Sequence, residues 1–487
     1  MRKLYILILS FLLISAAGCK KFLEQAPDQR TELNSVEKVA NLLTSAYPEA
    51  NHIAFTDAAS DNAEDKGPGI GVEDRDFVLP YFWKDNDIDF QDSPTFYWNA
   101  CYQAIAASNA ALEAIEKATD KTAYLPYKGE ALVARAYAHF MLVSLYSKTY
   151  DPKGSNDSPG IPYVTTPEKI VVAQYTRGTV ASVYANIEKD LLEGLPLLKN
   201  SAYKVPKYHF NVAAGNAFAA RFFLFKQEYD KVIQYATAVA PGDAFTSLLR
   251  PWNTRYYAYT YAEIATNFTK ASEPSTLLLI ETASFMARGY QPRYGFGQSL
   301  NDQMYSLNVT GATWAYKSGY YVKTPHYSTF KWNEYFVLNS PNATIGHPFA
   351  IVPVLTADET LMNRAEAYAA TGQNALALQD LNAFCSTRIY RYNSGTNQVT
   401  LPKIAAFYKT ADVKAGLIAT ILDFKKKEFT QEGLRWFDIL RYKLPVTHKF
   451  LAADGTSTSL TLGVDDPRRL FQLPYQVTLS GIQLNPR

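Results

Sequence analysis

Residues 361–384 read LMNRAEAYAATGQNALALQDLNAF, and no other stretch restricts the fold so tightly. Ala365, Tyr368, Ala377, Leu381 and Phe384 recur at the spacing of a tetratricopeptide helix pair, with Gly372 at the turn. Two antiparallel helices need small residues such as Ala365 and Ala377 where they approach closely, and Tyr368 and Leu381 fill the space beside them. A looser copy spans 212–239, where Ala217, Ala220, Arg221 and Phe225 precede the polar break Lys226-Gln227-Glu228, and Tyr229, Ile233 and Ala236 follow it. Further helices are predicted over 98–115, 130–145 and 179–198. Residues 417–440 continue the pattern, with Lys425-Lys426-Lys427 expected as a solvated face. The fold class that follows is mainly α: tetratricopeptide-like helix pairs with long aromatic-rich loops and minor β.

Two stretches between the helical blocks are expected to be non-helical, 56–94 with Gly67-Pro68-Gly69-Ile70-Gly71 and repeated Asp, and 252–336. The second holds 20 aromatics in 85 residues, denser than the 14% of the whole chain, including three of the six tryptophans. Those rings either plug the scaffold as a loop-rich core or offer a stacking platform for a flat, weakly charged ligand such as a sugar chain. With 47% hydrophobic residues the chain has ample material for a large core, which excludes disorder over most of its length.

The first residues set the compartment. Met1-Arg2-Lys3 is basic, residues 4–14 are almost wholly apolar, and Ser15-Ala16-Ala17-Gly18-Cys19 is a small-residue site ending in cysteine. This order predicts a cleaved export signal over 1–18, too short to span a bilayer. The site is similar to a lipobox, which makes Cys19 the expected lipidation site, with Ala16 standing where leucine is usual. Removing Arg2 and Lys3 from 48 basic residues leaves 46 against 46 acidic ones, a mature net charge of zero. A neutral chain without a basic stripe argues against nucleic-acid binding.

Four stretches carry a family resemblance: CKKFLEQAPDQRT at the lipoprotein start, KGEALVARAYAHFMLVSLYSKTYDP with GIPYV after it, the pair at 361–384, and KKKEFTQEGLRWFDILRYK followed by RRLFQLPYQVTLSGIQLNP. Together, in this order from Cys19 to Pro486, they resemble the SusD/RagB family of outer-membrane nutrient-binding lipoproteins of Bacteroidetes. The resemblance implies a SusD-like fold and a lipid anchor in the outer membrane. It also implies partnership with a SusC-like TonB-dependent transporter, and capture of oligosaccharide, or of peptide in the RagB branch, rather than catalysis. Lys20-Lys21 stand where an acidic surface-export cluster would be looked for, so display outside the cell rests on the family alone. The resemblance also divides the chain into an N-terminal helical part, 19–230, and a C-terminal part with inserted loops, 231–487, forming one globular unit.

Neutral sugars are held by an aromatic face beside polar side chains that replace water around hydroxyls. Three loop clusters supply that combination: Asp61-Asn62 through Arg75 to Trp83, Trp252 with Arg255-Tyr256-Tyr257, and Trp314-Ala315-Tyr316 with Tyr320-Tyr321 and Trp332. Family counterparts of the first lie near the binding face. The expected ligand contacts are Trp83, Trp314 and Trp332, then Tyr316, Trp252, Asp61, Asn62 and Arg75. Arg364, Glu366, Glu432, Arg435 and Trp436 are expected to hold the scaffold, and Gly433 to permit a close helix contact.

Other chemistry finds little support. The six histidines are scattered without a His-Glu-x-x-His, and there is no Cys-x-x-Cys, so no metal or cofactor is expected. Gly67-x-Gly-x-Gly lacks a nucleotide fingerprint's context, and Gly297-Gln298-Ser299 lacks the second glycine of a nucleophile elbow. Asp85-x-Asp87-x-Asp89 alternates like a calcium loop but lacks its glycine and terminal carboxylate, which reads as a solvated acidic turn. Carboxylates that meet only in space leave a surface glycosidase open. A purely interactive helical-repeat adaptor, with its aromatic loops buried, is the remaining alternative.

Overall fold

The computed structural model describes residues 32–168, 173–288, 291–316, 318–320 and 324–487. Cys19 and Tyr321 lie outside them. The chain is mainly α, and its helices pair as the small-residue spacing requires. The first group is α1 (Pro94–Lys117), α2 (Leu125–Tyr146) and α3 (Val180–Gly194). Ser93 caps α1 by accepting from the Phe96 N–H, and every residue of α2 from Gly129 to Tyr146 is buried, as an all-round apolar helix must be. Next come α4 (Val212–Lys226) with α5 (Tyr229–Val239), then α6 (Ala357–Ala370) with α7 (Asn374–Arg388), and finally α8 (Leu401–Tyr408) with α9 (Val413–Glu428). The turn of the α6–α7 pair is at Gly372, whose φ of 77° is a left-handed conformation that glycine adopts without strain.

Buried arginine forks lock these helices. Arg135 on α2 grips Asp190 on α3 at 2.7 and 2.8 Å, and Arg221 on α4 reaches Glu359 on α6 with Nε at 2.7 Å. Arg364 on α6 holds Asp380 on α7 at 2.9 and 2.7 Å, and Arg388 on α7 holds Glu428 on α9 at 3.0 and 2.8 Å. Glu366 accepts from Arg441 at 2.7 and 3.0 Å, and Glu432, between two helices, pairs with Lys331, so these charges are structural. Gly433 has φ 71°, and a Cβ there would meet Thr56 Oγ1 at 2.6 Å and His52 Nδ1 at 2.7 Å.

One expectation fails outright. The lysines at 425–427 are not a solvated face: Lys425 and Lys427 are buried and Lys426 is largely covered. Successive helical residues point about 100° apart, so three in a row cannot share one face. Each instead finds a carboxylate: Lys425 with Asp438 at 2.8 Å, Lys426 with Asp61 at 2.8 Å, and Lys427 with Asp423.

The inter-helix stretches are also less irregular than expected. Short helices form at Ile53–Ala59, Arg75–Tyr81, Tyr261–Phe268 and Gln298–Ser306; the third is started by a Thr260–Glu263 capping box. Strands β1 (Thr276–Ala283), β2 (Glu334–Leu338) and β3 (Gly346–Thr356) form an antiparallel sheet in the order β1-β3-β2, with Glu281 opposite Ile351 and Tyr335 opposite Phe349. This sheet carries one wall of the site described next.

Candidate functional site

Most of the rings expected to face solvent are packed inward. Trp83, with φ 50°, is 5% exposed, stacks on His448 at 4.6 Å and donates Nε1–H to the Ala59 carbonyl at 2.9 Å. Trp314 is 5% exposed and lies against Phe384 and Phe424 of the α7–α9 scaffold. Trp252 is fully buried, donates to Glu428 Oε1 at 3.2 Å and packs on Tyr316 at 4.3 Å. Tyr316 and Trp332 are half-buried, the first stacked on Tyr305 and the second bound through Nε1 to the Gln431 carbonyl at 3.1 Å. These indoles therefore fasten the long loops to the helices, and the exposed-tryptophan expectation is corrected at Trp83, Trp252 and Trp314. The physical reason is size: a large ring near a helical scaffold gains most by leaving water altogether.

The polar candidates divide as well. Asn62 is buried. Asp61 joins Arg435 at 2.8 and 3.0 Å and Lys426; burial raises its carboxyl, but these two cations hold it well below the usual range. Arg75 is open, with its side chain 61% exposed and Nη2 3.1 Å from Asp87 Oδ1.

Around Arg75 lies a cleft of about 300 Å³. One wall is the start of the helix Arg75–Tyr81, which brings Asp74, Asp76 and Phe77 to it. The loop from Ile88 to Asp92 forms the second wall. Its shape is fixed locally: Asn86 donates to Asp76 at 2.7 Å and accepts from the Ile88 N–H at 3.1 Å, while Ser93 Oγ donates to the Ile88 carbonyl at 2.7 Å. The third wall is Phe285, just beyond β1. Phe90, 47% exposed, stacks on Phe285 with centroids 5.3 Å apart and planes at 19°.

Asp92 joins the two ring-bearing walls. It has φ 69° and accepts from Ser284 Oγ at 2.6 Å and the Phe285 N–H at 2.8 Å. Burial pushes its carboxyl up to about 6, against the opposing effect of these two bonds. Burial likewise raises Asp76, with Asn86 acting against it. Beyond Phe285 the ring surface continues. The Arg288 guanidinium lies 5.2 Å from the Phe285 ring and 5.7 Å from that of Phe336, and is held by Glu334 at 2.9 and 3.2 Å. Phe336, on β2, is 47% exposed.

A half-open stack of rings beside carboxylates, a guanidinium and the Gln91 amide is the chemistry that grips a flat face studded with hydroxyls. A larger cleft, about 540 Å³ between Glu49, Gln103, Tyr208 and Glu281, has no such stack. Sequence reasoning found Arg75 but missed Phe77, Phe90, Phe285, Arg288 and Phe336. No local signal set Phe90 apart, since Ile88 shares the polar run Asp85 to Asp92 with it. That acidic run is dispersed: Asp85 pairs with Arg487, Asp87 with Arg75, and Asp89 with Asn99. Among the described residues no group of His, Cys, Asp and Glu is placed to hold a metal, and no helix is long and apolar enough to cross a membrane.

Comparison with known proteins gives two family matches. Residues 207–461 match the model described as the SusD family, and residues 21–224 match one described as starch-binding associating with outer membrane. No curated protein matches. Among solved structures, a SusD superfamily protein from Bacteroides thetaiotaomicron is 17% identical, with a TM-score of 0.67 over 93% of this chain and 100% of its own. A SusD-like carbohydrate binding protein from Bacteroides vulgatus is 16% identical, with a TM-score of 0.64 over 92% and 97%. A laminarin binding SusD-like protein is 16% identical, with a TM-score of 0.59 over 93% and 99%.

Proposed function

This chain belongs to the SusD family, and from that premise we propose that it is an outer-membrane lipoprotein, acylated at Cys19, that captures glycan chains for a SusC-like TonB-dependent transporter. The ligand sits in the cleft of Arg75, Phe77, Phe90 and Phe285. The observation that carries this reading is the Phe90–Phe285 stack, a half-exposed pair of rings held open to solvent by Asp92 and surrounded by hydroxyl-binding groups. Two solved proteins similar to this chain, one a carbohydrate binding and one a laminarin binding SusD-like protein, support the ligand class. The role is binding, with affinity from ring stacking and hydroxyl hydrogen bonds, and no release of reducing ends is expected.

A peptide is the second reading, favoured by β2. That strand is an edge of its sheet and lies beside the cleft, where an extended peptide can add its backbone hydrogen bonds.

The test is calorimetric titration of the soluble form, beginning at Lys20, against laminarin, starch, xylan and mixed peptides. A neutral polysaccharide is expected to bind, and Phe90→Ala with Phe285→Ala to weaken it roughly tenfold to a hundredfold while the helical circular dichroism is retained. Unchanged binding in that double variant would place the ligand elsewhere, and binding confined to peptides would favour the second reading.

A further inference from the structure

We infer that the cleft selects uncharged glycans and turns away chains carrying uronate or sulfate groups, an inference that rests on the glycan-binding reading above. Its walls supply three carboxylates, Asp74, Asp76 and Asp92, and one cation, Arg75. That cation's charge is already offset by Asp87, which pairs with its Nη2 at 3.1 Å. The next cation along the ring surface, Arg288, is occupied in the same way by both oxygens of Glu334. The lining itself carries a formal charge of 1 − 3 = −2, and counting Asp87 beside Arg75 and the flanking Arg288–Glu334 pair gives 2 − 5 = −3 around the opening. The surplus is local, since the mature chain as a whole is neutral.

Arg75 holds Asp87 through Nη2 alone, so an anionic sugar that reaches the guanidinium either shares it with that carboxylate or displaces it, and in both cases Asp87 stays tethered in the same loop. Displacement gains one ion pair and loses another, and either course brings the ligand's charge against Asp74 and Asp76. A neutral sugar meets no such opposition, because carboxylates are acceptors for its hydroxyl donors and strengthen those bonds. A concave site lined by one sign of charge concentrates that field, so discrimination is expected to exceed what the same charges would give on a flat surface.

The test compares laminarin, starch and xylan with alginate and chondroitin sulfate on the soluble form, by titration and by competition. At low salt the best neutral chain is expected to bind about tenfold or more tighter than either anionic one. Raising salt to roughly 0.5 M should narrow the gap by screening. Asp74→Asn with Asp76→Asn keeps an amide oxygen within reach of Asn86 and is expected to raise affinity for alginate about tenfold while weakening neutral binding, because two charged acceptors are lost, so the preference for the neutral chain should shrink by more than about tenfold. Equal or tighter binding of alginate or chondroitin sulfate to the native protein would overturn the inference and leave glycan capture standing. Failure of every polysaccharide to bind would overturn both.

Discussion

Asp92 shows how a single side chain can set the geometry of a binding face. Its two hydrogen bonds fix Ser284 and Phe285, the two residues that follow β1, so that Phe285 meets Phe90. Holding a carboxylate there is unfavourable when it is ionised, since burial lifts its proton affinity from the ordinary 3.8 to about 6. The folded state thus binds more protons than the unfolded state between about pH 4 and pH 6. Asp92 accordingly contributes stability that is full below pH 4 and is lost as pH rises through 6, by about 3 kcal/mol at most. Asp92→Asn can offer its oxygen to the Phe285 N–H and its amide to the Ser284 hydroxyl. It is expected to remove this slope, so the difference in Tm between variant and native protein should grow in the variant's favour from pH 4 to pH 7. Parallel profiles would mean that Asp92 does not titrate in this window. At the same scale the sequence misled by ring size: indoles at 83, 252 and 314 were legible as important, but nothing local distinguished a ring that fastens a loop from one that awaits a ligand. Phe90 is distinguished only by the exposure that the folded chain leaves it.

Among elements, the helix pairs were the most legible part of the chain because alanine at 365 and 377 and glycine at 372 answer to local geometry. The forks that join the helices were only half legible. Arg364 and Glu366 stood out as charges on a scaffold helix, yet their partners Asp380 and Arg441 are set by packing, and the 425–427 lysines were misread for the same reason. The Arg364–Asp380 fork gives the clearest test, since both side chains are almost fully covered, and burial holds the Asp380 carboxyl up near 6 despite the arginine. Removing one partner strands a buried charge, whereas removing both does not. Arg364→Met is expected to lower stability by about 3–5 kcal/mol in urea unfolding, and adding Asp380→Leu to restore most of it. Asp243, the other carboxylate on Arg364, is half exposed and stays solvated in both variants. Additive losses would show that the fork is a net source of stability rather than a fixed register between α6 and α7.

For the whole molecule, the question is whether 19–230 and 231–487 are one folding unit, as the sequence resemblance implied. A single apolar core contains residues from Val39 to Ile482, and polar ties cross the proposed boundary throughout. Arg221 grips Glu359, Asp65 is forked by Arg293 at 2.7 and 2.9 Å, and Tyr81 donates to the Lys449 carbonyl at 2.7 Å. Asn485, near the C-terminus, donates to the Tyr146 carbonyl at the end of α2 at 2.9 Å. Cutting between 230 and 231 would expose the apolar faces that meet across these ties and leave Glu359 and Asp65 buried without their cations. Neither fragment should then hold a native structure alone, and the intact protein should melt in one transition with equal calorimetric and van't Hoff enthalpies. Two resolved transitions, or a dispersed amide spectrum from residues 32–230 alone, would divide the molecule. The cleft would be lost with the division, because Phe90 comes from one side of the cut and Phe285 from the other.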